Sequence, residues 1–128
     1  MNRPTRSLPI LLALFAIVLA PLAALAGEKE ADAPKLTLVE SKMVCMVNNA
    51  FMGKEQIPVE VEGKTYYGCC EMCKERLAKD EAIRYSTDPV SGTRVDKAKA
   101  VIGVLPDGAA LYFENEANFN KYASKPQK

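Results

Sequence analysis

Tyr66-Tyr67-Gly68-Cys69-Cys70-Glu71-Met72-Cys73 places three of the chain's four cysteines within five residues, and the fourth, Cys45, stands upstream in Met43-Val44-Cys45-Met46. The alternation leading into Cys69 reads as a strand, and Glu71 to Lys79 reads as the opening of a helix. Thiols at a strand-to-helix junction meet the helix N-terminus, whose unpaired N–H groups and dipole favour thiolate over thiol. Thiolate is the form that binds metal. The spacing Cys45-x23-Cys69-x3-Cys73, with Cys70 inserted, is therefore the pattern of a candidate metal site.

Around this stretch the local signals are clear. Ile57-Pro58-Val59-Glu60-Val61 alternates apolar and polar, Glu62-Gly63 supplies a tight turn, and Thr65-Tyr66-Tyr67 returns, which predicts a β-hairpin with Pro58 at an edge. Cys70 to Ala82 carries Met72, Leu77 and Ala78 among charged residues, the pattern of an amphipathic helix of about three turns. Lys74, Arg76 and Lys79 form its wet face. Asp88-Pro89-Val90-Ser91-Gly92 breaks it. Upstream, Asn48 to Gln56 reads as a loop and Leu36 to Val39 as a short strand.

The second half repeats the first. Ala100 to Leu105 reads as a strand, Pro106-Asp107-Gly108 as a turn, Ala109 to Phe113 as a strand and Glu116 to Ala123 as a helix. Gly63 matches Gly108, Tyr67 matches Tyr112, Lys74 matches Phe119 and Leu77 matches Tyr122, all at a shift of 45, while Val44-Cys45 matches Val90-Ser91 at 46. A recurring supersecondary unit at such a period is a duplication signal. The cysteine positions of the second copy hold Ser91, Glu114 and Asn118. Glu114, Glu116 and Asn118 offer oxygen ligands for a hard cation, but an acidic helix start accounts for them more simply. Tyr66, Tyr67, Tyr112 and Phe113 read as core or cross-strand residues.

Cys45, the hairpin, Tyr66-Tyr67-Gly68-Cys69, Cys73 and the basic helix together resemble the TRASH/YHS family of metal-associated, zinc-finger-like modules. Asp88-Pro89-Val90-Ser91-Gly92 through Tyr112-Phe113-Glu114-Asn115 is similar to that family's "DPVCG…YFCS" pattern with the cysteines replaced. The resemblance runs from Lys42 to about Lys125, and Cys70 stands where the family often has Ser. It implies a treble-clef-like fold and a role in sensing, carrying or handling heavy metals. The expected architecture is thus α+β, two tandem small ββα units: a metal-binding unit over 41–85 and a degenerate one without cysteines over 86–128.

A unit of about 40 residues buries too little surface to stand unaided, so a metal or a disulfide is expected to stabilise it. Cys45, Cys69 and Cys73 are the motif ligands, with Cys70 the nearest fourth. Four thiolates suit tetrahedral Zn(II). Adjacent Cys69 and Cys70, however, do not easily both face one ion. A three-thiolate site completed by a thioether, with Met46 or Met72 as the weaker ligands, suits Cu(I); methionine is equally an ordinary core filler. Two other readings stand beside the metal. Cys70-Glu71-Met72-Cys73 has the local context of a thiol–disulfide redox pair, and Cys45 bonded to another cysteine would give a disulfide-stapled interaction module.

Toward the N-terminus, Arg3 and Arg6, the apolar Leu8 to Leu19 and Ala24-Leu25-Ala26 form the pattern of a signal peptide over 1–26, cleaved after Ala26. A membrane anchor is the rival, but Pro9 and Pro21 bracket an apolar core shorter than the roughly 20 residues of a span. Residues 27–40 then read as a flexible arm and short strand. Without Arg3 and Arg6 the balance is 15 basic to 16 acidic residues, which offers nothing to nucleic acid or an anionic membrane. The chain has no His, which excludes imidazole catalysis and His-ligated zinc, and no nucleophile–base pair supports an enzyme. The expectation is a secreted or periplasmic protein that exchanges Cu(I) or Zn(II) with a metal-donor or metal-acceptor protein.

Overall fold

The computed structural model describes residues 35–125, so the signal-peptide pattern over 1–26 and most of the arm lie outside the described residues. The fold is mixed α+β, with small antiparallel sheets and two helices. After β1 (Thr37–Val39), a 3₁₀ turn over Ser41–Met43 delivers the chain to β2 (Val44–Cys45), which pairs with β3 (Ala50–Phe51). The Asn48–Gln56 stretch, read as a loop, thus contributes a short strand.

The expected hairpin is present as β4 (Ile57–Val61) and β5 (Lys64–Gly68), in register from Ile57↔Gly68 to Val61↔Lys64. Glu62 and Gly63 connect them, both at positive φ (51° and 75°), the backbone of a two-residue turn that matches strand twist. Val59 and Tyr66 face each other on the inner side and are buried.

Helix α1 covers Glu71–Lys79, shorter than the expected run to Ala82. Arg84 decides its end. That side chain is buried and donates to the Leu77 carbonyl at 2.8 Å, while Asp80 accepts from the Ala82 N–H and starts a separate 3₁₀ turn over Glu81–Arg84. Strands β6 (Tyr85–Thr87) and β7 (Arg94–Asp96) flank the Asp88–Gly92 break and pair antiparallel.

The second hairpin, β8 (Val101–Val104) and β9 (Ala110–Phe113), leads into α2 (Glu116–Ala123) as expected. Its outer partner is β1, giving the order β1-β8-β9. The two halves also meet at β3, where Ala110 N–H donates to Asn49 O and Phe51 N–H to Gly108 O. One apolar cluster joins Val44, Met46, Val59, Tyr66 and Leu77 to Val95, Ile102, Val104, Ala110 and Tyr112. Asp96 adds a polar tie across the halves, accepting from Lys64 Nζ at 2.6 Å and Tyr66 Oη at 2.9 Å. Among the described residues no helix is long and apolar enough to cross a membrane.

Candidate metal centre

The end of β5 and the first turn of α1 bring two cysteines together, and β2 supplies the third. Gly68 makes this approach feasible: a Cβ there would stand 3.0 Å from Cys73 Cβ and 3.1 Å from the Lys74 nitrogen. With only hydrogen at that point, the strand passes close beneath the helix start. Cys69 Sγ then lies 3.6 Å from Cys73 Sγ, Cys45 Sγ lies 4.0 Å from Cys73 Sγ, and all three sulfurs fall within 4.8 Å of one another. An ion about 2.3 Å from each sulfur spaces the sulfurs roughly 3.8–4.0 Å apart. The donor set and its spacing fit a thiophilic ion. Cys45 and Cys73 are buried, Cys69 is half-buried, and all four cysteines are free thiols.

Cys70 lies outside this three-sulfur group but beside it, close enough for the Cys73 N–H and the Cys73 and Cys69 thiols to help lower its pKa. It takes the N-cap of α1 (φ −156°, ψ 171°), and its side chain is exposed. Met46 is fully buried within the apolar cluster, whereas Met72 is 72% exposed on α1.

The thiols do not share their protons equally. Burial raises the cost of ionising Cys45, but the N–H groups of Asn48, Cys69 and Val47, with the Cys69 thiol, outweigh it and hold its pKa below the ordinary thiol value. Cys73 is pushed up to about 12 by burial and by the neighbouring thiols. Cys69 is raised as well, chiefly by Cys45. Cys70 at the helix N-terminus is lowered too, chiefly by the Cys73 N–H and thiol, so Cys45 and Cys70 ionise more readily than Cys69 and Cys73. The Asn48 side-chain amide approaches Cys69 Sγ at 3.7 Å.

Behind Cys45 lies a residue the sequence reading passed over. Lys97, only 3% exposed, donates from Nζ to Met46 O at 2.6 Å and to Asn49 Oδ1 at 2.7 Å. Its ammonium sits 5.1 Å from the Tyr112 ring centroid. Burial lowers its pKa to about 8, and the negative charge of Cys45 works against that shift. Asn49 holds φ at 52°, the left-handed conformation that Asn tolerates better than most side chains. The Asn48-Asn49 pair was the local signal of this turn; nothing local marked Lys97.

The second half builds the matching place without sulfur. Ser91, Glu114 and Asn118 converge on Asp88, which is fully buried. Its Oδ1 accepts from the backbone N–H of Val90 (2.7 Å) and Ser91 (3.2 Å), its Oδ2 from Glu114 N–H and Asn118 Nδ2 (both 2.8 Å). Asn115 caps α2 with nearly the Cys70 backbone (φ −158°, ψ 170°) and accepts from Asn118 N–H at 2.8 Å. A buried carboxylate thus closes by hydrogen bonds the junction that three sulfurs face in the first half. Compared with models of known protein families, with curated proteins and with solved structures, the chain matches none of them.

Proposed function

We propose that the chain binds one thiophilic metal ion as cargo through Cys45, Cys69 and Cys73, and exchanges it with a partner protein outside the cytoplasm. The observation that carries this reading is the convergence of three free sulfurs to 3.6 and 4.0 Å, within a group spanning no more than 4.8 Å. A three-thiolate shell suits Cu(I) ahead of Zn(II), because soft ligands in low number favour the monovalent ion. The treble-clef-like, TRASH/YHS-type assignment of the two halves belongs to the same proposal. Its support is the repeated hairpin-and-helix unit with matching cap geometry at Cys70 and Asn115.

Transfer is ligand exchange without redox change. An incoming thiolate forms a metal–sulfur bond as one protein sulfur leaves, and the departing sulfur takes up the proton that the incoming thiol has lost. Exposed Cys70, adjacent to Cys69, is placed to act as the transient ligand.

Metal analysis of protein purified anaerobically from its native compartment tests the reading. About one equivalent of copper or zinc, lost in the Cys45→Ser variant, is the expected result. A wild-type protein that carries no metal and takes up neither Cu(I) nor Zn(II) refutes it. Recovery of the purified chain with a Cys70–Cys73 disulfide would instead favour the redox reading.

A further inference from the structure

A lysine ammonium buried at 3% exposure demands a counter-charge, since an unpaired buried cation is strongly destabilising. Among the described residues no carboxylate lies within 4.0 Å of Lys97 Nζ; the ion pairs there involve Lys42, Lys64, Lys74, Lys79 and Arg94. Its near neighbours are neutral: the Met46 carbonyl, the Asn49 amide oxygen and the Tyr112 ring. The Met46 carbonyl that Lys97 holds at 2.6 Å belongs to the residue that follows Cys45, which fixes the ammonium one residue from a ligand sulfur. The Tyr112 hydroxyl is buried there without a hydrogen-bond partner.

We infer that Lys97, supplied by the cysteine-free half, is the fixed counter-cation of the three-thiolate site and biases it toward a monovalent ion. The inference rests on the metal-binding reading above and extends it to ion selectivity. Three thiolates around a monovalent ion leave two negative charges in excess; around a divalent ion they leave one. A fixed ammonium behind the sulfurs interacts with that excess, so its attraction is about twice as large for the Cu(I) complex. Lys97 also pins the turn after Cys45 through Met46 and Asn49, but a pin alone helps both ions equally. Charge and pinning therefore make different predictions. Lys97 is a positioning residue in this account and not a ligand.

The test measures Cu(I) and Zn(II) affinities by chelator competition in the full mature chain, for wild type, Lys97→Gln and Lys97→Met. Asn49→Gly serves as the control that keeps the positive φ and deletes one hydrogen bond. In the Lys97 variants the Kd for Cu(I) should rise on the order of tenfold, and that for Zn(II) by clearly less, because the ion-free site already presents part of its thiolate charge to Lys97. Asn49→Gly should stay within about threefold of wild type for both ions, a shift below the tenfold that 1.4 kcal/mol represents. The two Lys97 variants differ in retaining a donor for Met46 O, so a folded member of the pair, checked by circular dichroism, suffices. Unchanged affinities, or equal losses for the two ions, overturn the inference while leaving the metal site standing. A wild-type chain that takes only one ion is judged by that ion, where a Lys97 loss no larger than that of Asn49→Gly overturns it. Binding of neither ion by wild type removes both the site and its counter-cation.

Discussion

At the scale of single residues, the four cysteines divide into two kinds. Cys45, Cys69 and Cys73 share one centre, and Cys70 stands exposed at the helix cap. Replacing any of the three by Ser removes a sulfur from the shell. Structural thiolate sites carry apparent binding energies of roughly 10–16 kcal/mol in zinc-finger peptides, so each such variant should lose affinity by orders of magnitude. Cys70→Ser should bind within about tenfold of wild type, about 1.4 kcal/mol, but pass the ion more slowly to a competing dithiol in stopped-flow transfer. A Cys70→Ser protein that loses metal as fully as Cys69→Ser would indicate a four-thiolate site and favour zinc. Proton uptake follows from the same geometry. Cys73 and Cys69 have raised pKa values and Cys45 a lowered one, so the first two hold their protons at neutral pH. Metal binding should then release at least about two protons, and log K should climb by about two or more per pH unit around neutrality. Affinities measured across buffers of different pH check the slope.

The element that distinguishes the halves is the strand-to-helix junction. In the first half a close-packed glycine and three sulfurs occupy it; in the second, Asp88 and its four donors do. Burial opposes ionisation of Asp88, but the Glu114 N–H, the Asn118 amide and the Val90 and Ser91 N–H groups outweigh it, so its folded pKa lies below the ordinary 3.8. A folded pKa below the unfolded one favours the folded state when the carboxylate is ionised. That stability is present above pH 3.8 and is lost as the pH falls through the lower, folded value. Asp88→Asn puts an amide where donors already point and should cost about 2–3 kcal/mol at pH 7 by urea denaturation. The gap between variant and wild type should narrow below pH 3.8; a constant gap would mean that Asp88 acts by shape alone. Gly68→Ala tests the first junction in the same way. Its Cβ would meet the Cys73 Cβ at 3.0 Å and backbone at 3.1 and 3.2 Å, so metal affinity should fall as the sulfurs move apart. Titration with Co(II), whose thiolate charge-transfer bands report the sulfur count, measures that outcome.

For the molecule as a whole, the halves depend on each other. β1 precedes the first cysteine yet pairs with β8, and the apolar cluster draws five residues from each half. A fragment of residues 86–128 therefore lacks its outer strand and half of its core. It should show no cooperative thermal transition by circular dichroism, and without thiols it should not take up Cu(I) or Zn(II) tightly. A cooperatively melting fragment would mean that Asp88 and its partners stabilise the second half alone.

Much of this was written locally in the chain. Glu62-Gly63 dictated the first hairpin, because both positions need positive φ and a glycine supplies it readily. Cys69 and Cys73 flank the helix N-cap at Cys70, so their approach followed from the strand-to-helix junction that the sequence showed. The shift of 45 likewise located β8, β9 and α2. Other features depended on segments far apart in sequence, whose approach no local pattern encodes. Arg84 ended α1 early by taking the Leu77 carbonyl from outside the helix. Asp88 read as a turn residue inside a helix-breaking stretch, and only the approach of Glu114 and Asn118 made it the centre of a buried network. Lys97 is the sharpest case. In sequence it is one of many surface-type lysines, and it became the cation behind Cys45 because folding carried it across 51 residues onto Met46 and sealed it from water.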